Sequence, residues 1–315
     1  MLHASGKRWK HIRKETDVLE EENKMFLPRL CSTIVLLTLF IGSSFMPGIA
    51  GKICFGILAA AGVFISSLEF SKILEAKEMR SYPLYTGIFL TAVILWILFF
   101  INYRRGMLIL FSSLVLFTVL CWIFLLCSRN QLDVLKKVFH SAGIFLMLGI
   151  PFIVVALIYA MPPVGRKGSV HKIFFYFILA TKIGDIGAYA VGSLSNYITK
   201  GHNHKLIPSI SPGKSWEGLI GGWVISMIFS ALLLPWALSR PELPVWIGLL
   251  FGTVLFFGCA AGDLAESSLK RICGVKDSGK IIPGIGGVMD LIDSLLLNAP
   301  IFYFMLTIFV LYYRK

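Results

Sequence analysis

Apolar residues in this chain gather into nine stretches, at about 30–48, 52–71, 83–102, 106–127, 140–160, 173–195, 218–238, 244–265 and 292–312. Each approaches the roughly 20 residues an α-helix needs to cross about 30 Å of hydrocarbon. Charged or turn-rich segments separate them. The pattern predicts an all-α integral membrane protein, a polytopic bundle of about nine transmembrane helices.

Composition supports this reading. Apolar residues make up 57% of the 315 positions, charged residues only 15%, and the mean hydropathy is +0.79. Soluble domains carry about 25% charge, so an ordinary soluble globule is excluded. The net charge of +13 does not indicate a nucleic-acid partner, because the basic residues are scattered between apolar spans and no soluble domain can present them as one face. Membrane topology accounts for them better. With the N-terminus inside, the inside segments hold 20 Lys and Arg against nine outside, among them Arg104, Arg105, Arg166 and Lys167. Both polar loops of the C-terminal half then face the cytoplasm. Cys31, Cys54, Cys121, Cys127, Cys259 and Cys273 lie mostly within apolar spans without metal-binding spacing, and read as small core residues.

Three regions follow. Residues 1–26 form a cytoplasmic segment with a basic half (Lys7 to Lys14) and an acidic half (Glu15 to Glu22), too polar for a cleaved signal peptide. Residues 27–138 hold about four spans almost free of ionisable groups, and read as scaffold or lipid-facing wall. Residues 139–315 hold about five spans and two motif loops, with Asp185, Glu217, Asp263, Glu266, Asp277, Asp290 and Asp293 in or beside those loops. An acid at membrane depth costs roughly 3 kcal/mol on insertion scales, which makes each a candidate for function. No internal repeat is evident, which argues against an inverted-repeat transporter.

The first constellation spans residues 181–222. Lys182 and Asp185, three apart on one helical face, can neutralise each other. SPGKSWEG, residues 211–218, sets Ser211, Lys214 and backbone N–H groups just before a helix, an arrangement suited to phosphate oxygens; a simple turn with Ser215 as N-cap is the plainer alternative. His202 and His204 read as solvated loop residues. The small-residue spacings Gly218 to Gly222 and Gly258 to Gly262 suit close helix packing.

The second spans residues 262–294. Asp263, Glu266, Ser267 and Lys270 project from one helical face, carboxylates at membrane depth and a cation one turn beyond. Lys270, Arg271, Lys276 and Lys280 form a cationic cluster. The glycines of PGIGG permit close backbone approach to phosphates. Asp290 and Asp293, on one face of the next helix and opposite Asp263, offer the few carboxylate oxygens that Mg²⁺ takes when it also binds phosphate.

These residues resemble the CDP-diacylglycerol synthase family, the phosphatidate cytidylyltransferases. SSLKRICGVKDSGKIIPGIGGVMDLID follows that family's signature S-x-x-K-R-x4-K-D-x-G-x-x-x-P-G-H-G-G-x-x-D-R-x-D, SPGKSWEG resembles its S-P-K-K-T-W-E-G, and GDIGAYAVG its D-x-x-A-Y-x-x-G. The resemblance covers about residues 139–315. Two departures stand out: Ile285 replaces the histidine of the Gly-rich turn, and Leu291 replaces the arginine between the last two aspartates.

The resemblance implies transfer of a cytidylyl group from CTP to phosphatidate, giving CDP-diacylglycerol and pyrophosphate. It implies Mg²⁺, with a second cation such as K⁺ as a further candidate, membrane lipids as surroundings and a homodimer. Asp263, Lys270, Arg271, Lys276, Asp277 and Asp290 are the candidate catalytic residues. Asp263, Asp290 and Asp293 are the candidate metal ligands, and Ser211, Lys214, Glu217, Ser267, Gly286 and Gly287 the candidate phosphate-binding set. A CTP substrate and the basic inside loops point to the cytoplasmic side of a bacterial-type inner membrane. The alternatives are a CTP-dependent lipid kinase of the polyprenol or dolichol type, a family member impaired by Ile285 and Leu291, and a transporter using Asp185 and Asp263.

Overall fold

The computed structural model describes residues 48–100, 106–127, 131–161, 170–200, 202–208, 210–283 and 286–312, with isolated positions between 35 and 46. The N-terminal segment 1–26, most of the first apolar stretch, Gly284 and the Ile285 departure lie outside the described residues. Among the described residues, the helices from Gly48 on are α1 (Gly48–Glu75), α2 (Pro83–Phe100), α3 (Gly106–Cys127), α4 (Gln131–Tyr159), α5 (Val170–Ile198), α6 (Trp216–Ala237), α7 (Val245–Cys273) and α8 (Val288–Tyr312). They fall on the later eight of the predicted stretches. A hairpin of β1 (Lys205–Ile207) and β2 (Ser211–Ser215) is the departure from an all-helical chain.

The expected count of about nine spans is not supported: among the described residues, six helices, α1, α4, α5, α6, α7 and α8, are long and apolar enough to cross a membrane, and α2 and α3 are apolar too. Apolar side chains cover the outside: Leu232, Val245 and Phe304 are well exposed, which suits lipid and would drive aggregation in water. This is a multi-pass integral membrane protein.

Local chemistry explains the irregular points. In α4 the helix widens into a π turn at Phe145–Gly149, just before Pro151. Proline has no N–H to give, and its ring crowds the carbonyl four residues back, so the wider turn accommodates it. Gly274, at φ 76°, ends α7 in the left-handed region that a glycine enters without strain.

The core lies where α1, α4, α5, α7 and α8 meet. Phe55 stacks on Tyr159 at 3.9 Å between ring centres, and Phe174 meets both edge-on. Phe177 stacks on Phe302 at 5.1 Å. Small residues bring the helices of the C-terminal half close, as the glycine spacing predicts. A β-carbon on Gly222 would stand 2.8 Å from the Gly184 carbonyl of α5, and one on Gly262 would stand 2.9 Å from the Asp293 carbonyl of α8. Asn298 stitches the same seam, donating to the Leu255 carbonyl at 2.9 Å and to the Thr181 hydroxyl at 3.3 Å.

Candidate active site

SPGKS is a strand rather than a bare turn. It pairs antiparallel with β1, Lys205 opposite Ser215 and Ile207 opposite Ser211. Ser215 then caps α6, its hydroxyl accepting the Gly218 N–H at 3.1 Å, so strand and cap are both in place. Glu217, one residue into α6, accepts from the His204 backbone N–H at 3.1 Å and meets the His204 ring at 2.8 Å. The His204 side chain is mostly exposed, as expected of a loop residue, yet it anchors the hairpin rather than standing free. Glu217 does not line the cavity described next.

A cavity of about 610 Å³ opens between α5, the hairpin, the start of α6 and α7. Asp185, Ser193, Asn196, Asn203, Lys205, Ser211, Lys214 and Asp263 give it polar walls, while Leu219, Phe256 and Leu264 give it an apolar side. Lys214 reaches across to Asp263, Nζ to Oδ2 2.6 Å, and Ser267 donates to the other Asp263 oxygen at 3.4 Å. Two residues from separate predicted constellations thus form one charged pair at the cavity wall.

A second charged cluster sits between α7 and α8. Lys270, whose side chain is only 12% exposed, lies 2.6 Å from Asp290 Oδ1 and 3.4 Å from Glu266 Oε1. The other Asp290 oxygen accepts the Gly287 N–H at 2.8 Å and the Ser278 N–H at 3.2 Å. Asp293 lies against Glu266, within electrostatic reach of Asp263 and Lys182. Charge neutralisation at this depth is therefore mutual: each buried carboxylate has a cation or backbone donors to offset its lost hydration.

Other predicted residues stand elsewhere. The side chains of Arg271, Lys276, Asp277 and Lys280 are exposed, and the cavity lining includes none of them. The Gly287 N–H is given to Asp290 and the Gly286 N–H to the Ile282 carbonyl, so both amides are committed to protein acceptors. Lys182 and Asp185 are only loosely paired at 3.9 Å. Lys182 donates instead to the Leu291 carbonyl and the Ser294 hydroxyl, both at 2.8 Å, while Cys259 donates to Asp185 at 2.9 Å. The pair is part of a seam joining α5, α7 and α8, not a self-contained unit.

Among the described residues, no three His, Cys, Asp or Glu side chains converge as a metal cage. Asp290 has its oxygens engaged by Lys270 and by the Ser278 and Gly287 amides, whereas the Asp263 oxygens meet the Lys214 and Ser267 side chains at the cavity wall. Mg²⁺ needs no full protein cage, since one or two carboxylates suffice when phosphate oxygens complete the shell. Asp263 at the cavity wall, backed by Asp293, fits that demand.

The N-terminal half reads from its sequence as scaffold or lipid-facing wall, and Glu69 of α1 was not among the residues singled out there. That side chain is 2% exposed and accepts from the Val288 N–H at 3.1 Å, the Met289 N–H at 2.9 Å and the Ser278 hydroxyl at 3.4 Å. Glu266 was visible in the acidic stripe, but its burial between Lys270 and Asp293 was not.

Apolar helices long enough to cross a bilayer, with an acid–base cavity between them, define a polytopic membrane protein. A sequence model of the cytidylyltransferase family matches residues 28–309, so this chain belongs to the cytidylyltransferase family. It is 35% identical over 168 residues to a phosphatidate cytidylyltransferase of Mycobacterium leprae, covering 53% of this chain and 50% of that one. It is 33% identical over 190 residues to the phosphatidate cytidylyltransferase of Staphylococcus haemolyticus, 60% of this chain and 68% of that one. The uncharacterized protein YnbB of Escherichia coli is 38% identical over 144 residues, 46% of this chain and 45% of that one. The chain spans about half the length of the mycobacterial and Escherichia coli relatives it matches.

Proposed function

We propose that the protein is a phosphatidate cytidylyltransferase, converting CTP and phosphatidate to CDP-diacylglycerol and pyrophosphate. The observation that carries this reading is the Lys214–Asp263 pair at 2.6 Å, set at the wall of a polar cavity between membrane-spanning helices. Membership of the cytidylyltransferase family and the printed activity of the mycobacterial and staphylococcal relatives support it. The substrates are CTP from the water side and phosphatidate from the bilayer. The site faces the cytoplasm of a bacterial-type inner membrane, and the working unit is a homodimer.

A phosphate monoester has its second pKa near ~6, so phosphatidate arrives largely as the dianion and needs no general base. Its oxygen attacks the α-phosphorus of CTP, and the bond to pyrophosphate breaks in line. Lys214 and Lys205 at the cavity wall offer cations to the phosphates, and Ser211 offers a hydroxyl. While the site is free, Asp263 neutralises Lys214; an entering triphosphate competes for that ammonium and frees the carboxylate. Asp263, with Asp293 behind it, would hold Mg²⁺, which stabilises the negative charge that builds on the leaving pyrophosphate. Lys270 keeps Asp290 and Glu266 neutralised beneath the site.

The test supplies purified protein in detergent with phosphatidate, Mg²⁺ and CTP labelled on the α- or the γ-phosphate. Extraction of α-label into lipid, with pyrophosphate released, is the expected result. Label from the γ-position in an added polyprenol or diacylglycerol would instead establish a kinase and overturn the proposal.

A further inference from the structure

Helix α8 caps itself only in part: Asp290 reaches back to the Gly287 N–H, but no side chain at the preceding position takes the N–H groups that follow. Its first N–H groups have no partner within the helix, and the residue preceding it is Gly287, which has no side chain to offer. The cap comes instead from α1, more than 200 residues earlier in the chain, where Glu69 accepts the N–H groups of Val288 and Met289. The loops close tightly around this carboxyl. A β-carbon on Gly287 would lie 2.7 Å from Glu69 Oε2, and one on Gly279 would collide with the same carboxyl. Ser278 joins Glu69 to Asp290 directly, giving its hydroxyl to the first and its N–H to the second. Asp290 stands on the turn that Glu69 holds, and Asp293 on the turn after it.

We propose that Glu69 is a positioning residue for cytidylyl transfer: by holding the first turn of α8 and the Ser278 loop, it sets where Asp290 and Asp293 stand. The role rests on the cytidylyltransferase reading of the site. It makes α1 part of the working unit, although no residue of α1 lines the cavity. A misplacement of about 1 Å in a catalytic group can cost roughly a hundredfold in rate. Loss of the cap therefore acts on turnover before it acts on folding.

The test compares full-length wild type, Glu69→Gln and, as a control on the same helix, Glu75→Gln, whose side chain is exposed. Gln keeps the shape but turns an amide donor toward backbone donors. Expected for Glu69→Gln is a folded protein with kcat lowered about ten- to a hundredfold. Its KM for CTP stays within about threefold, its half-saturating Mg²⁺ concentration rises, and hydrogen exchange quickens in the peptide covering residues 286–292. Glu75→Gln behaves as wild type. Wild-type kcat and exchange in Glu69→Gln would overturn the proposal, as would a loss of activity that merely tracks the folded fraction.

Should Glu69→Gln fail to fold, Ser278→Ala removes one bond to Glu69 and leaves the amide to Asp290. A lowered kcat there supports the proposal, and an unchanged one overturns it. If the wild type forms no CDP-lipid while exchange still quickens in Glu69→Gln, the hold on α8 stands and the activity assignment fails.

Discussion

Replacing Lys270 with methionine removes the one cation between Asp290 and Glu266 while keeping a side chain of similar length. The side chains of Lys270, Glu266 and Asp290 are 12%, 5% and 13% exposed, so water screens the loss only weakly. Removing one partner of a buried ion pair costs about 3–5 kcal/mol, because the remaining charge stays desolvated without compensation. Asp290 keeps the Gly287 and Ser278 amides, so the lower part of that range, about 3 kcal/mol, applies. At about 2–4 °C per kcal/mol for a chain of this order, the midpoint of thermal unfolding in detergent falls by on the order of 10 °C. Pairing the change with Asp290→Asn removes one orphaned charge, so the double variant melts above Lys270→Met alone. The assay is a thermal melt in one detergent, followed by loss of the monodisperse peak. A midpoint within about 2 °C of wild type for Lys270→Met would refute the reasoning and mean that water reaches the cluster.

Asp290→Asn, which keeps the shape and one acceptor oxygen, lowers transfer of α-label into lipid about a hundredfold or more while the protein still elutes as a folded species; retained turnover would remove Asp290 from the chemistry. Lys182→Met deprives the seam of two hydrogen bonds from a charged donor, each contributing roughly 1.5–3 kcal/mol, and lowers the melting midpoint. Gly222→Val forces a side chain against the Gly184 carbonyl and the Ala188 amide, each 2.8 Å from its β-carbon, and destabilises by about 1–3 kcal/mol in the same melt.

Much of the site was legible before folding because its chemistry is concentrated in short segments. Ser211 and Lys214 lie within one hairpin strand, and Asp263, Glu266 and Lys270 within one helical face, so spacing alone placed them together. What spacing did not show was which cation meets which acid. Lys214 goes to Asp263 and Lys270 to Asp290, across elements whose relative position is set by glycine contacts such as Gly262 against Asp293. Arg271 and Lys276, equally basic and close in sequence, turn outward because they lie beyond the buried face of α7 and its glycine stop at Gly274.

The sequence by itself determined the membrane class, the places of the apolar helices and the chemistry of the two motif segments, since hydropathy and helical spacing act over a few residues. Only the tertiary structure decided the pairing of charges and the part taken by Glu69. Its partner Val288 is 219 positions away, and a single acid in an apolar helix reads the same whether it faces lipid, water or the end of another helix. That distinction depends on which helix end the fold brings against α1, since the free N–H groups of α8 reach Glu69 only once the two helices have packed.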